Sequence, residues 1–161
     1  MKKLLAILVA WTTCSSAVMA TDQYTFDFEL FPEEHCLALN IYYEARSSNL
    51  ADKYAVADVV LNRVNDTRYP NTICGVVQDG YKKGRKDCQF SWYCDGKSDV
   101  PQDRDNWIEA QTIAWNISKW EKHRGLTEGA TNYHATYVSP KWAKKLQMVG
   151  RIGAHIFYRW E

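Results

Sequence analysis

The sequence has little of what a nucleic-acid-binding or multidomain protein would need. Its 161 residues include 20 Lys or Arg and 19 Asp or Glu, so there is no basic surplus to hold nucleic acid and no acidic tail. It contains no internal repeat, no low-complexity segment and no linker rich in Pro, Gly or Ser. A chain of this length and uniformity suits one compact domain.

Long apolar runs are also scarce, and the one that exists lies at the N-terminus. Lys2 and Lys3 precede an apolar run over residues 4–11, and Ala20 offers a small residue at a plausible cleavage site. This layout predicts a secretory signal peptide over residues 1–20. The run is shorter than the roughly 20 residues that an ordinary membrane span needs. The alternative is a weak, uncleaved anchor that is released later.

Cleavage would leave residues 21–161 as a single exported domain. The loss of Lys2 and Lys3 would change the formal net charge from +1 to −1. Because no second long apolar run follows, we expect a soluble monomer, secreted or periplasmic, without stable membrane insertion after cleavage.

The cysteines of the expected mature chain are Cys36, Cys74, Cys88 and Cys94. An even number of cysteines in a small exported domain indicates disulfides. Four cysteines allow three pairings, and the sequence alone does not choose among them. Cys88 and Cys94 could close a small loop, which would leave Cys36 with Cys74.

Apolar periodicity and capping residues predict an α+β domain with more helix than strand. Pro32 stands where the first helix would start, and Glu33 and Glu34 suit the positive end of its dipole. We predict helices over residues 34–46, 50–64, 72–77 and 107–123, a short helix from Pro140, extended segments over 133–138 and 147–160, and a loop followed by a hairpin-like segment over 81–106.

The most informative single residue is Glu44. Leu37, Ile41 and Glu44 follow one another at spacings that put them on one face of the first helix. That face is expected to be buried, and burial without a cation raises the pKa of a carboxyl group. A glutamic acid that stays protonated near neutral pH can protonate a glycosidic oxygen. The alternative is a structural role, with Arg46 or another base paired to the carboxylate.

A glycosidase commonly uses a second carboxylate, and the sequence offers no compelling one. The candidates are Asp58, within the second helix, Asp95, which precedes Gly96 and suits a turn, and Asp99. A lytic transglycosylase needs no second carboxylate, because the 6-hydroxyl of the sugar attacks the anomeric carbon. The pattern therefore leans towards that chemistry.

Two other kinds of catalytic site are less well supported. Cys88 and His134 could form the nucleophile and base of a cysteine peptidase or amidase, but an exported chain favours disulfides. His35, His134 and His155 could bind zinc, yet they show no metal-ligand spacing. We therefore expect no metal site and no cofactor.

Aromatic residues make up 14% of the chain. Filling the core is the ordinary use of any one of them, but aromatic faces also stack on sugar rings. Several of them lie near the polar motifs, and an aromatic cluster beside a catalytic acid would favour a sugar substrate.

Several motifs in a fixed order resemble the SleB-type cell-wall hydrolases, the family of the spore-cortex-lytic catalytic domain and its phage and proteobacterial relatives. The similarity extends from about residue 34 to residue 159. The motifs are CLALNIYYEAR (36–46), AVADVVLNRV (55–64), YPNTICGVV (69–77), CQFSW (88–92), CDG (94–96), YH (133–134), VSPKW (138–142) and IGAHIFYR (152–159).

The resemblance implies a lysozyme-like fold related to lytic transglycosylases, with Glu44 as the catalytic acid. It also implies that a groove beside Glu44 binds the glycan strands of peptidoglycan. The residues that it assigns to this groove are Gln89, Phe90, Ser91, Tyr133 and His134.

The sequence thus predicts a secreted enzyme that cleaves the glycan strand between its MurNAc and GlcNAc sugars, as a lytic transglycosylase. A muramidase that uses water is the alternative within the enzyme class, and a non-catalytic wall-binding protein is the alternative outside it. Whether such an enzyme serves as a phage endolysin or remodels the wall of its own bacterium stays open.

Overall fold

The computed structural model describes residues 29–82 and 88–161. The predicted signal peptide over residues 1–20 lies outside the described residues. Within the two described ranges, none of the helices has the length and apolar character needed to cross a membrane.

Four α-helices, three strands and two 3₁₀ helices make up the described part of the chain. The helices are α1 (Pro32–Ala45), α2 (Leu50–Val64), α3 (Ile73–Val77) and α4 (Arg104–Trp120), the strands are β1 (Asn132–Ala135), β2 (Gln147–Ile152) and β3 (His155–Arg159), and the 3₁₀ helices are Ser91–Cys94 and Lys141–Lys145. α1 packs against the other three α-helices, and β2 contacts α2. The predicted mainly helical α+β class is confirmed.

The start of α1 is fixed both by its own sequence and by α3. Pro32 occupies the first turn, where its missing N–H leaves no hydrogen bond unmade. The Glu33 carboxylate accepts hydrogen bonds from the first backbone N–H groups of α3. A disulfide between Cys36 and Cys74 joins the same two helices. The helix that carries Glu44 is therefore anchored at its N-terminal end.

The apolar face of α1 lies in the main core. Leu37 and Ile41 are fully buried and pack with Val60 of α2 and Ile113 of α4. Burying an aliphatic side chain of this size contributes roughly 1.5–3 kcal/mol, so these contacts fix the rotation of α1 about its own axis. Since Glu44 shares the face of Leu37 and Ile41, the same packing brings its carboxyl group to the edge of the core.

α2 spans the predicted residues 50–64 because both of its ends are capped. The Asn49 side chain accepts a hydrogen bond from the backbone N–H of Asp52 at 2.9 Å. Asn65 follows the last turn as the C-cap, where the sequence had placed the end of the helix. Asp52 is thereby fixed in the first turn of α2, a position that matters for the site.

α4 begins earlier and ends earlier than predicted. The Asp103 side chain caps it by accepting a backbone N–H of the first turn, so the helix starts at Arg104 and not at residue 107. The chain turns into a left-handed conformation at Glu121, which ends the helix at Trp120. The hydroxyl of Tyr42 in α1 accepts the backbone N–H of Asp103 at 3.0 Å and thus fixes the start of α4 against α1.

The three strands form an antiparallel sheet in the order β1-β3-β2. Tyr133 pairs with Phe157, and Ala135 pairs with His155. Because side chains alternate along a strand, Tyr133, His155 and Phe157 share one face, whereas His134 points to the other. The first face packs on α2 through the fully buried Phe157. The predicted extended segments near the C-terminus are confirmed.

The predicted hairpin-like segment after Cys88 is wrong. Residues 91–94 form a 3₁₀ helix, and no strand occurs among the described residues between 88 and 106. A disulfide joins Cys88 to Cys94 across a separation of 6 residues, which leaves no room for two paired strands. With Cys36 bonded to Cys74, the disulfide prediction itself is confirmed.

Candidate active site

Glu44 lies in the last turn of α1, where the helical core meets the sheet. The residue is half-buried, and its Oε2 atom accepts a hydrogen bond from the Tyr133 hydroxyl at 3.0 Å. Arg46 does not pair with it. The Arg46 guanidinium donates instead to the Tyr42 hydroxyl at 3.0 Å. The structural alternative of a Glu44–Arg46 ion pair is therefore excluded.

The surroundings of Glu44 favour its protonated form. Burial is the largest influence, and it raises the pKa of the Glu44 carboxyl above its ordinary value. The Tyr133 hydrogen bond and the positive charges of His155 and Arg63 lower the pKa, but they only partly offset the burial. The carboxyl group can therefore hold a proton at a higher pH than an exposed glutamic acid can.

Tyr133 presents its hydroxyl to Glu44 from strand β1. Burial, and then the nearby Glu44 charge, hold the pKa of Tyr133 well above its usual value. The phenol therefore keeps its proton and acts as a donor to Glu44 at every physiological pH. This bond occupies Glu44 Oε2 and leaves Oε1 for a ligand.

His155 and Asp52 lie behind Tyr133. The His155 ring packs edge-on against the Tyr133 ring, with 5.1 Å between centroids and 77° between planes. Its Nδ1 atom is 2.9 Å from Oδ1 of Asp52, which is fully buried. Burial alone would raise the pKa of Asp52, but hydrogen bonds from His155, Ser48 and the Ala154 N–H outweigh it and lower that pKa. Asp52 is thus a buried carboxylate that orients the imidazole.

Arg63 brings a buried positive charge to the same region from α2. It is 2% exposed, and its Nε donates to the backbone carbonyl of Thr131 at 2.7 Å. Its guanidinium carbon lies 5.4 Å from the ring centroid of Tyr69 and 5.3 Å from that of Phe90. Stacking between two aromatic faces suits a planar, weakly hydrated cation.

The segment over residues 89–92 alternates between the surface and the core. Gln89 and Ser91 are exposed, whereas Phe90 and Trp92 are 3% and 8% exposed. Trp92 stacks on Tyr43, the neighbour of Glu44 in α1, at 4.7 Å between centroids. Gln89 and Ser91 are therefore free to face a ligand. Phe90 offers it no face, since its ring lies in the core against Arg63, and it is better described as a support of the site than as part of its surface.

His134 does not join Glu44, although its neighbour Tyr133 does. Its ring stacks on Tyr158 at 5.3 Å between centroids, and its Nε2 atom is 3.0 Å from the Tyr158 hydroxyl. Trp142 packs edge-on against the same ring. Because His134 lies on the face of the sheet opposite to Tyr133, the expectation that both flank Glu44 is wrong for His134.

Asp58, one candidate for a second catalytic carboxylate, has a structural role. It is fully buried, and its Oδ1 pairs with Arg124 and accepts the Gly125 N–H at 3.1 Å. Its Oδ2 accepts both the N–H and the hydroxyl of Thr127, at 3.0 and 2.6 Å. A carboxylate with all of these donors holds the chain after α4 in place and is not available to activate a water molecule.

Asp95 and Asp99, the other two candidates, both raise the pKa of Tyr43 through their charges, in addition to the larger effect of burial. Asp95 accepts the Lys97 N–H at 2.8 Å, which is the predicted turn. Burial, and then the Asp95 charge, raise the pKa of Asp99. Burial, and next the Asp99 charge, also raise the pKa of Tyr43. The charges that lower the pKa of Glu44 come from His155 and Arg63. Neither aspartate is thus placed as a direct partner of Glu44.

The competing catalytic sites are not assembled. Cys88 is bonded to Cys94 and cannot serve as a nucleophile for His134. His134 and His155 lie on opposite faces of the sheet, so they cannot bind one zinc ion together. In the described ranges, no three His, Cys, Asp or Glu side chains lie close enough to form a metal site.

The sequence alone does not link Asp52, Arg63 and His155 to Glu44. It presents His155 as a possible zinc ligand and as part of the IGAHIFYR motif, and Asp52 resembles an ordinary acidic residue in a first helical turn. One signal was available: in the GAHIF segment, His155 and Phe157 share a face of the strand with spacing two. A histidine on the core face of a strand needs a buried hydrogen-bond partner. The partner of His155 is Asp52, which lies 103 residues away in the sequence.

The fold and site together define a lysozyme-like domain with a protonatable carboxyl at the end of its core helix. The chain belongs to the Cell Wall Hydrolase family, whose sequence model matches residues 47–158. The family resemblance predicted from the motifs is therefore confirmed. The matched range begins just after Glu44, so the case for this residue depends on the geometry described above.

Three relatives support the same assignment. The spore cortex-lytic enzyme of Bacillus subtilis (strain 168) is 26% identical over 121 residues, which cover 75% of this chain and 35% of the relative. This chain thus spans about a third of that protein. The catalytic domain of the germination-specific lytic transglycosylase SleB from Bacillus anthracis is 26% identical, with a TM-score of 0.58 and coverage of 79% of this chain and 93% of that domain. The SleB catalytic domain of Bacillus cereus is 27% identical, with a TM-score of 0.57 and coverage of 80% and 91%. The predicted lysozyme-like fold is confirmed.

Proposed function

We propose that this protein cleaves the glycan strands of peptidoglycan as a lytic transglycosylase, with Glu44 as the catalytic acid and base. One observation carries the proposal: Glu44 is held at the edge of the core with a raised pKa, and Tyr133 occupies only one of its two oxygens. Membership of the cell wall hydrolase family and the likeness to SleB catalytic domains support it.

The proposed reaction uses the Glu44 carboxyl twice. Its proton passes to the glycosidic oxygen as the bond from that oxygen to the MurNAc anomeric carbon breaks. The Glu44 carboxylate then takes the proton of the 6-hydroxyl of the same MurNAc, and the 6-oxygen bonds to the anomeric carbon. The products are a 1,6-anhydro sugar end and a free 4-hydroxyl. No water is consumed, and Glu44 regains its proton.

The hydrogen bonds of the other candidate carboxylates favour the transglycosylase reaction over hydrolysis. An inverting muramidase needs a second carboxylate to activate water, and a retaining one needs it as a nucleophile. Asp58 is fully engaged with the chain after α4, and Asp95 is used in a turn, where it accepts the Lys97 N–H. An intramolecular hydroxyl removes the need for such a partner.

The substrate is proposed to lie against the exposed side chains of Gln89 and Ser91 and the partly exposed ring of Tyr43. A hydroxyl, an amide and an aromatic face suit a neutral, hydroxyl-rich sugar. Positioning of the ring accounts for a large share of catalysis in such reactions. Phe90 and Trp92 support this surface from the core.

The deciding experiment is mass spectrometry of purified peptidoglycan after digestion. A lytic transglycosylase releases fragments that end in 1,6-anhydro-MurNAc, and we expect these as the main product. Fragments with reducing ends would replace the transglycosylase proposal by a muramidase. Free peptides with intact glycan strands, or no release of fragments at all, would overturn the proposal of glycan cleavage. A digest with folded Glu44→Gln is the matched control.

We further propose that the enzyme acts outside the cytoplasm. The basic start, the apolar run over residues 4–11 and Ala20 support a signal peptide over residues 1–20 and a mature domain from residue 21. The two disulfides also suit an oxidising compartment. N-terminal sequencing of the protein from a periplasmic fraction tests this: a chain that still begins at Met1 would contradict cleavage. Phage lysis and wall remodelling both require the same reaction.

A further inference from the structure

The buried Asp52–His155 pair joins α2 to strand β3 directly behind the candidate acid. Oδ1 of Asp52 and Nδ1 of His155 are 2.9 Å apart. A carboxylate only accepts, so His155 carries a hydrogen on Nδ1, and its Nε2 is the nitrogen that can gain or lose a proton. The pair is buried, with Asp52 at 0% and His155 at 7% exposure.

The turn between β2 and β3 holds this pair in a fixed place. Oδ2 of Asp52 accepts the backbone N–H of Ala154 at 3.0 Å. Gly153 has a φ of +55°, and a Cβ atom there would lie only 2.7 Å from the Cβ of Asp52. The turn therefore approaches α2 as closely as a glycine allows, and His155 has little freedom to shift.

The Tyr133 ring packs against two rings of β3. It shares a face of the sheet with His155 and meets that ring edge to face at 5.1 Å between centroids, and the Phe157 ring lies 5.7 Å from it. The Tyr133 hydroxyl, at the far end of its ring, donates to Glu44 Oε2. Contacts thus run without a gap from Asp52 through His155 and Tyr133 to the carboxyl group.

We propose that Asp52 and His155 are positioning residues that hold the Tyr133 hydroxyl on Oε2 of Glu44, so that the transferable proton resides on Oε1. This inference rests on the proposed function, since it concerns how Glu44 presents its proton. Neither residue touches the sugar. Their effect reaches the reaction through Tyr133 and through the charge that His155 carries when it is protonated.

The charged and titratable groups around the pair come from three elements. Glu44 of α1 is influenced by Tyr133, His155 and Arg63. Asp52 of α2 accepts from His155, and Tyr133 of β1 is influenced by Glu44, Arg63 and Asp52. Removal of the imidazole takes away one of the positive charges that lower the pKa of Glu44. The alkaline limit of activity is then expected at a higher pH.

A double-mutant cycle tests the proposal. We expect His155→Gln to lower kcat on soluble glycan oligomers by up to about 100-fold, the loss that a displacement of about 1 Å can cause, with little change in KM. In the Tyr133→Phe background the same change is expected to cost less than about threefold, because the residue through which His155 acts is already impaired. A kcat of His155→Gln within twofold of wild type, or losses that simply multiply, would overturn the proposal.

A matched control separates this effect from the general loss of an imidazole. His123 is exposed in the turn after α4, packs on Tyr54 and has a φ of 63°. Asn tolerates that backbone conformation, so His123→Asn is expected to fold and to keep both kcat and the pH profile. A merely structural role for His155 would lower the melting temperature and leave the pH profile of the folded fraction unmoved, which would also overturn the proposal.

A second variant keeps the imidazole, in case His155→Gln fails to fold. Asp52→Asn retains an oxygen that can accept from His155 Nδ1 and from the Ala154 N–H, so it is expected to fold. We expect it to lower kcat by about threefold or more when Tyr133 is present and to have less effect in the Tyr133→Phe background. Equal losses in the two backgrounds would refute the coupling. If Glu44→Gln stays active on peptidoglycan, the proposed function fails. If it is inactive while His155→Gln is unimpaired, only the present inference fails.

Discussion

Replacement of Glu44 by Gln is the most informative single change, because it tests the chemistry and the burial of the acid together. The amide has nearly the same size, and its oxygen can still accept the Tyr133 hydroxyl, so the fold is expected to persist. An amide at this position can neither donate nor accept the proton. General acid catalysis is worth about 10²–10⁴-fold, and the same carboxyl serves both proposed steps. We therefore expect a loss near 10⁴-fold.

The stability of the same variant has a definite dependence on pH. Burial raises the pKa of Glu44 in the folded state above its unfolded value. The stabilising contribution of such a group is complete below the unfolded pKa and is lost as the pH rises through the folded pKa. Gln cannot ionise, so Glu44→Gln is expected to be more stable than wild type at pH 8, by about 1 kcal/mol, an ordinary gain where a destabilising active-site group is replaced. The gain is expected to shrink towards pH 4.

Two assays at matched concentrations of folded protein check these expectations. The first measures the release of soluble fragments from purified peptidoglycan, and the second measures the free energy of unfolding in urea at pH 4, 6 and 8. Glu121→Gln, at an exposed position after α4, is the control. It is expected to change the free energy of unfolding by no more than about 0.5 kcal/mol, and the rate of fragment release by no more than the corresponding factor. Retention of more than a tenth of the activity by Glu44→Gln would refute its catalytic role. A deficit in stability that is equal at pH 4 and pH 8 would refute the burial argument.

Three further changes test other parts of the structure. The double variant Cys36→Ser/Cys74→Ser removes a disulfide with a sequence separation of 38, and the chain-entropy model predicts a loss of about 4 kcal/mol in the free energy of unfolding. A loss below about 1 kcal/mol in urea unfolding would contradict this prediction. Asp58→Ala removes a fully buried hydrogen-bond acceptor and is expected to cost about 3 kcal/mol of stability without changing kcat per folded molecule. A loss of kcat without a loss of stability would make Asp58 a catalytic candidate again. Phe90→Ala is expected to cost about 3–5 kcal/mol of stability, whereas Ser91→Ala is expected to lower activity at an unchanged melting temperature. Calorimetry and turnover measurements check this. The reverse pattern would make Ser91 the structural residue and Phe90 the one that contacts substrate.

The parts of the fold that local chemistry governs could be predicted from the sequence. α2 spans the predicted residues because Asn49 and Asn65 cap it, and the place of Glu44 at the edge of the core follows from its spacing to Leu37 and Ile41. For α2 and Glu44, each signal lies within a few residues of the feature that it determines. Disulfides could be anticipated from the number of cysteines, but the sequence alone does not choose their pairing.

The residues that surround Glu44 could not be found in the same way, because their partners are distant in sequence. Tyr133 meets Glu44 at a separation of 89 residues, and His155 meets Asp52 at 103. The resemblance assigns both Tyr133 and His134 to the groove, but successive side chains of a strand point to opposite faces of the sheet, so only Tyr133 reaches Glu44. The early start of α4, by contrast, has a local signal: the Asp103 side chain accepts the backbone N–H of Asn106 three residues later.

The candidate acid is shared between two layers, since Glu44 belongs to the helices and Tyr133 and His155 belong to the sheet. Its affinity for a proton therefore depends on how closely the layers fit. If heat or a denaturant separates the sheet from α1 by the width of a water molecule, the carboxyl regains its hydration and its pKa returns towards the ordinary value. The carboxyl then gives up its proton at a lower pH than it does in the closed structure, while each layer still keeps its own hydrogen bonds. We therefore expect activity to fall at the first loosening of the molecule, before its secondary structure melts.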